Sequence, residues 1–295
     1  MQKWDGKSKG APLGYKIFIF TLRKGGIKPA YFLLRFVALY YFLCSWKSSR
    51  HILHYFHLLG YSRTKSLLNL YRNYYLFGQT IIDKVVTMAN IGVPFTFNYE
   101  GEHYLDEIVA NGKEGILLGA HVGNWEIAGH YLKRINTPVN IVMLDAESEK
   151  IKQYLSSVTG SRKMNIIPVK DDLSHIYQIN EALQNNELVC VHGDRYIEGN
   201  RTISKLLLGK PALFPEGVFQ LGALFQVPVT IVFAFKETAS HYHFFATKPI
   251  VYDDKAKTEC MEILLNEYIS ELGKKIRQYP THWFNYYNFW EEKQC

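Results

Sequence analysis

His121 and Glu126, with four residues between them in the stretch GILLGAHVGNWEIAGHY (115–131), have the types and spacing for proton transfer. A histidine that a carboxylate orients and makes more basic acts as a general base near neutral pH. The run Ile116-Leu117-Leu118, bounded by Gly115 and Gly119, reads as a buried strand. Gly123-Asn124 breaks the pattern, and Trp125-Glu126-Ile127-Ala128 reads as the first turn of a helix capped by Asn124. His121 then leaves a strand end, and Glu126 sits about one turn into the next helix, from where its carboxylate reaches back to one imidazole nitrogen. A Ser-His-Asp arrangement uses the same logic, but no serine or cysteine stands beside this pair, so the nucleophile would be the substrate's own hydroxyl or amine. A helix cap alone would also account for Asn124 and Glu126, and the spacing does not choose between the two readings.

The elements that must position this pair follow from the pattern after Val93. Strand candidates are 93–99, 115–120, 138–144, 164–169, 187–193, 228–236 and 241–250. Helix candidates are 102–111, 124–133, 147–158, 172–185, 215–226 and 256–278. Alternation with short connections predicts an α/β fold with a mixed, largely parallel sheet sandwiched by helices. ELVCVHGDRYIEGNR puts Asp194 and Arg195 at the carboxyl end of a buried strand, where such sheets place their sites. Arg195 and Arg201 suit a phosphate or a carrier's phosphopantetheine, and an Asp–Arg pair bracing the loop suits the same residues. In Phe214-Pro215-Glu216-Gly217 the proline and glycine shape the turn into a helix, and Glu216 either touches the acceptor or compensates the helix dipole.

Residues 1–90 have a different character and form an N-terminal membrane-associated helical region ahead of a catalytic α/β domain over 91–295. The first 28 residues carry seven lysines and arginines against Asp5 alone. PAYFLLRFVALYYFLCSW (29–46) is almost wholly apolar apart from Arg35. A central arginine is costly in a spanning helix, and basic residues on both flanks oppose a single crossing. The segment therefore reads as a helix lying in one membrane face. His51, His54 and His57 share one side of a helix without an accompanying carboxylate or cysteine, as the polar face of an amphipathic helix would.

The 295 residues carry a formal net charge of +7 and a pI near 9.0, with 21 tyrosines and 18 phenylalanines. Such a chain expects a polyanionic partner and a lipid-contacting surface. No nucleic-acid-binding signature appears, so an anionic membrane face or an acidic carrier protein is expected instead. Cys44, Cys190, Cys260 and Cys295 are far apart, as reduced thiols would be, and neither a disulfide framework nor a zinc site is expected. There is no GxSxG elbow, phosphate loop, dinucleotide fingerprint or HExxH, and neither a metal nor a cofactor is expected.

HVGNWE, preceded by small residues and followed by an apolar helix, resembles the His-x4-(Asp/Glu) motif of the bacterial lysophospholipid acyltransferase superfamily. The closer resemblance is to the late (secondary) acyltransferases of lipid A biosynthesis. LLLGKPALFPEGVFQLGALFQVPVTIVFAF and the closing YPTHWFNYYNFW are similar to passages of that family, although Asn288-Phe289-Trp290 stands where its members usually have Arg-Arg-Phe. The resemblance implies a membrane-associated enzyme at the cytoplasmic face of the inner membrane, touching its anionic lipids. It implies transfer of an acyl chain from acyl carrier protein, or from acyl coenzyme A, to a lipid acceptor such as a lipid A precursor. His121 and Glu126 would be catalytic, joined by Arg162, which matches an essential arginine of the family. A fixed guanidinium near a developing oxyanion is a group this reaction needs. Asn124, Asp194, Arg195 and Glu216 would contact substrate. Asp194 matches the first acidic residue of a Pro-Asp-x-Asp region, with Gly193 in place of the proline and the second acid missing. That departure leaves an amino-lipid, glycerolipid or aryl pigment open as acceptor, and a catalytically silent lipid-binding protein stands as the rival from another class.

Overall fold

The structure is a computed structural model that describes residues 12–88, 95–110, 114–125, 127, 137–143, 165–170, 172–197, 199–252 and 256–290. Four helices come first: α1 (Pro12–Gly25), α2 (Ile27–Cys44), α3 (Trp46–Leu58) and α4 (Arg63–Met88). The α/β part follows as β1 (Thr96–Glu100), α5 (Glu102–Ala110), β2 (Gly115–Gly119), β3 (Val139–Met143), β4 (Asn165–Pro168), α6 (Ser174–Gln184) and β5 (Leu188–His192). It continues with β6 (Thr202–Leu207), β7 (Lys210–Pro215), α7 (Glu216–Phe225), β8 (Val229–Lys236), β9 (His241–Ala246), α8 (Lys257–Gln278) and a short 3-10 turn at Pro280–His282.

Seven strands form one sheet in the order β1-β9-β8-β2-β5-β3-β4. Every neighbouring pair is parallel except β8–β9. The sheet is mixed and largely parallel, as the alternating pattern predicts. All five residues of β2 are buried, which is why GILLG reads as a continuous apolar run rather than an alternating one. Helix α8 covers one face through Cys260, Leu264, Tyr268, Leu272 and Ile276, a four-residue spacing that aligns them along one stripe.

Each of the seven strand expectations meets a strand of the sheet, with bounds that agree to within a few residues. The expected helix at 147–158 lies outside the described residues, as does most of 124–133, of which Trp125 and Ile127 are helical. The expectation passed over the β6–β7 hairpin, a separate antiparallel pair. Its tight turn puts Leu208 (φ 54°) and Gly209 (φ 77°) both in the left-handed region. That is the twist a two-residue hairpin requires, and Leu at its first position gives little sequence signal for it.

The N-terminal helices share a core with the sheet. Ile52, Tyr55 and Phe56 of α3 and Leu70 and Tyr74 of α4 belong to one buried cluster with Leu118, Ile231 and Leu265. Asn73 of α4 donates to the carbonyls of Thr281 and Trp283, both at 3.0 Å. The apolar α2 is fixed along α4 at several points: Tyr75 donates to the Tyr31 carbonyl, Tyr71 to the Arg35 carbonyl, and Tyr41 stacks on Tyr74. At its start, Tyr31 donates to Asp83, which also accepts from Tyr242 and forms a 2.5 Å ion pair with Lys236. Lys236 completes its shell on the Ala239 carbonyl at 2.8 Å.

Candidate active site

The site lies at the carboxyl ends of β2 and β5, and their register builds it. Gly119 pairs with His192, so residues two positions beyond each strand, His121 and Asp194, come opposite one another. His121 Nδ1 is 2.8 Å from Asp194 Oδ1, and the His121 backbone N–H donates to Asp194 Oδ2 at 3.0 Å. With Nδ1–H donated to the carboxylate, Nε2 is the basic nitrogen left for a substrate. Burial opposes ionisation of Asp194, but His121, its hydrogen bond and the nearby Arg195 outweigh that and hold the carboxyl below the usual range. Asp194 therefore meets His121 as a carboxylate.

The loop carrying His121 is clamped on both sides. Gly123 N–H donates to the His282 carbonyl at 2.8 Å and Asn124 N–H to the Ala234 carbonyl at 2.7 Å. Phe284 N–H donates to the His121 carbonyl at 3.2 Å. Gly123 has φ 75°, and a Cβ there would lie 2.0 Å from the Ala234 oxygen, so the break in the sequence at this point is a requirement of the backbone. Behind the loop, Tyr268 of α8 donates to the Gly119 carbonyl at 3.1 Å and fixes the end of β2.

The expected site residues separate into three groups. His121 and Asp194 are together. Asp194 was expected among the substrate contacts, but both its oxygens are engaged by His121, and it stands as the orienting carboxylate. Asn124, Arg195 and Glu216 are braced by the protein. Asn124 is buried and donates to Tyr242 at 3.1 Å, so its amide faces the interior rather than a substrate. Arg195 donates to the Phe284 carbonyl at 3.0 Å and lies over the Tyr287 ring, which supports the loop. Glu216 opens α7 and accepts from Gln220 at 2.6 Å, one turn on. Glu126 and Arg162 form the third group, which lies outside the described residues.

His192, which the sequence reading did not single out, stacks edge to face on His121 with centroids 4.5 Å apart and on Trp125 at 5.0 Å. Burial, aided by His121, pushes its imidazole down to about 3, so it is neutral. Its signal in the sequence was register: His192 precedes Asp194 by two residues, as Gly119 precedes His121. Among the described residues, His121, His192 and Asp194 are the set whose ligand atoms, all within 4.8 Å, a divalent cation could use. Binding one through Nδ1 would displace the proton that joins His121 to Asp194. Cys190, on β5, is no nucleophile, since burial pushes its thiol up to about 12.

A family model for bacterial lipid A biosynthesis acyltransferases matches residues 71–291, most of the chain. The chain belongs to that family. HVGNWE and the closing aromatic passage implied this membership. A phosphatidylinositol mannoside acyltransferase of Mycobacterium tuberculosis is 26% identical over 123 residues, which span 41% of this chain and 38% of that relative. Among solved structures, the 1-acyl-sn-glycerophosphate acyltransferase PlsC from Thermotoga maritima is similar over 85% of this chain and 97% of its own, with 16% identity and a TM-score of 0.38.

Proposed function

We propose that this acyltransferase works at a membrane surface and moves a fatty acyl chain from acyl carrier protein, or from acyl coenzyme A, to a hydroxyl of a lipid A precursor. The observation that carries the reading is the His121–Asp194 dyad at the carboxyl end of β2, inside a chain of this family. Asp194 holds the imidazole through Nδ1, so Nε2 takes the proton of the acceptor hydroxyl as its oxygen attacks the thioester carbonyl. The carbonyl electrons move to oxygen and return as the carbon–sulfur bond breaks, and the departing sulfur takes the proton back from Nε2. Arg162 keeps the role its motif position gives it, at the oxyanion or donor, while the orienting role read for Glu126 passes to Asp194. The reading is tested by mass spectrometry of lipids, lipid A and pigments from a strain lacking the protein. A lipid A species short by one acyl chain is expected. A similarity to an enzyme named for a mannosylated lipid favours a glycolipid acceptor as second reading, and a phospholipid glycan short by one chain would decide for it.

Helix α2 supports the membrane setting. It is long and apolar enough to cross a bilayer by length and composition. Ala30, Tyr31, Leu34 and Ala38 face inward, while Phe32, Leu33, Phe36, Leu39, Tyr40 and Leu43 are exposed. At about 100° per residue the exposed set forms one face, with Arg35 at its margin. Because α2 is tied along α4 from Tyr31 to Tyr41, the helix fits lying in one leaflet better than leaving the fold to span it. The double variant Phe36→Asp/Leu43→Asp should lose at least about tenfold in binding to vesicles containing phosphatidylglycerol, since each buried side chain is worth about 1.5–3 kcal/mol. Unchanged co-sedimentation of a folded double variant would remove α2 from the membrane contact.

A further inference from the structure

His192 stands at the end of β5, beside the dyad and outside its hydrogen bonds. One of its ring nitrogens lies within 4.8 Å of a nitrogen of His121 and of a carboxylate oxygen of Asp194. Among the described residues neither ring nitrogen makes a hydrogen bond, and the ring is half-buried. The fold makes room for this ring in particular: a Cβ at Gly119 would stand 3.1 Å from His192 Cδ2 and 3.4 Å from Nε2. A neutral imidazole held by two perpendicular rings has one N–H with a fixed direction.

We propose that His192 is a catalytic hydrogen-bond donor, its ring N–H meeting the thioester carbonyl oxygen as that oxygen becomes the oxyanion. The inference rests on the acyl-transfer reading and extends it. The acceptor oxygen bonds to the carbonyl carbon while its proton passes to His121, and the carbonyl electron pair moves onto the oxygen facing His192. That pair returns as the carbon–sulfur bond breaks, and the sulfur leaves with the proton from His121. His192 gives up no proton. Because it is fixed before the reaction, its dipole needs no reorganisation as charge develops, which is where such donors act.

The test uses the full-length protein in detergent micelles and reads thiol release from palmitoyl-coenzyme A with water as acceptor, so the lipid acceptor does not enter. His192→Phe keeps a ring of similar shape without the N–H and should lower kcat about 10²-fold with KM changed less than about twofold. His192→Gln, which restores an N–H donor, should recover a large part of the loss. The pH profile of kcat should keep its shape in both variants, because His121 alone moves the proton. His192→Phe at the wild-type kcat would overturn the proposal and leave the acyl-transfer reading standing. A rate that EDTA abolishes and Zn2+ restores would also overturn it, since His192 would then be a metal ligand. Wild-type release no faster than that of His121→Ala would sink the acyl-transfer reading, and the proposal with it.

Discussion

Purified His121→Ala protein should transfer acyl chains at least about a hundredfold more slowly than the wild type while keeping its cooperative thermal unfolding. The side chain is part-exposed, so its removal opens no sealed cavity, whereas the reaction loses its proton acceptor. Asp194→Asn should fall by a comparable factor, although the amide fills the same space. Both Asp194 oxygens accept from His121, one from the ring and one from the backbone. An asparagine presents one acceptor and one donor, so either the imidazole takes the other tautomer or the loop shifts, and in both cases Nε2 is lost as the base. Kinetics with a long-chain acyl thioester donor check this directly. An Asp194→Asn enzyme at the wild-type rate would return the orienting role to Glu126, and Glu126→Gln measured alongside would show it. A lipid-binding protein without catalysis predicts no turnover in any of these proteins.

The largest effect on stability should come from Asp83 and Lys236. Their 2.5 Å ion pair is fully buried, and Tyr31 and Tyr242 donate to the same carboxylate. Burial pushes Asp83 up and Lys236 down, each toward its neutral form, so the pair is costly to bury even though its members attract. Removing one member leaves the other buried without its counter-charge. Asp83→Leu or Lys236→Met alone should therefore destabilise by about 3–5 kcal/mol, whereas the double apolar replacement should recover most of that loss. Urea unfolding of the three proteins measures the cycle. Additive losses in the double variant would contradict this account of the pair. The same cluster reaches Asn124 through Tyr242, so the single variants should also lose activity through the loop that carries His121.

Much of the fold was legible because β2, β5 and β8 are buried on both faces and read as apolar runs between turn residues, and because α8 repeats its apolar positions at helical spacing. The sequence by itself determined the strand that ends at His121, the glycine that the loop after it requires, the apolar character of α2, and the motifs that resemble the family. It paired His121 with Glu126 because a short separation along the chain was the separation it could weigh. Tertiary structure decided that Asp194, 73 residues away, is the carboxylate on Nδ1, since the parallel register of β2 and β5 brings together positions with no local relation. It also decided that Asn124 and Arg195 brace the loop, because whether a polar side chain meets a substrate or the protein depends on which carbonyls and hydroxyls the fold delivers to it. For Asn124 these are Tyr242 and Thr80, and for Arg195 the Phe284 carbonyl, all from distant parts of the chain.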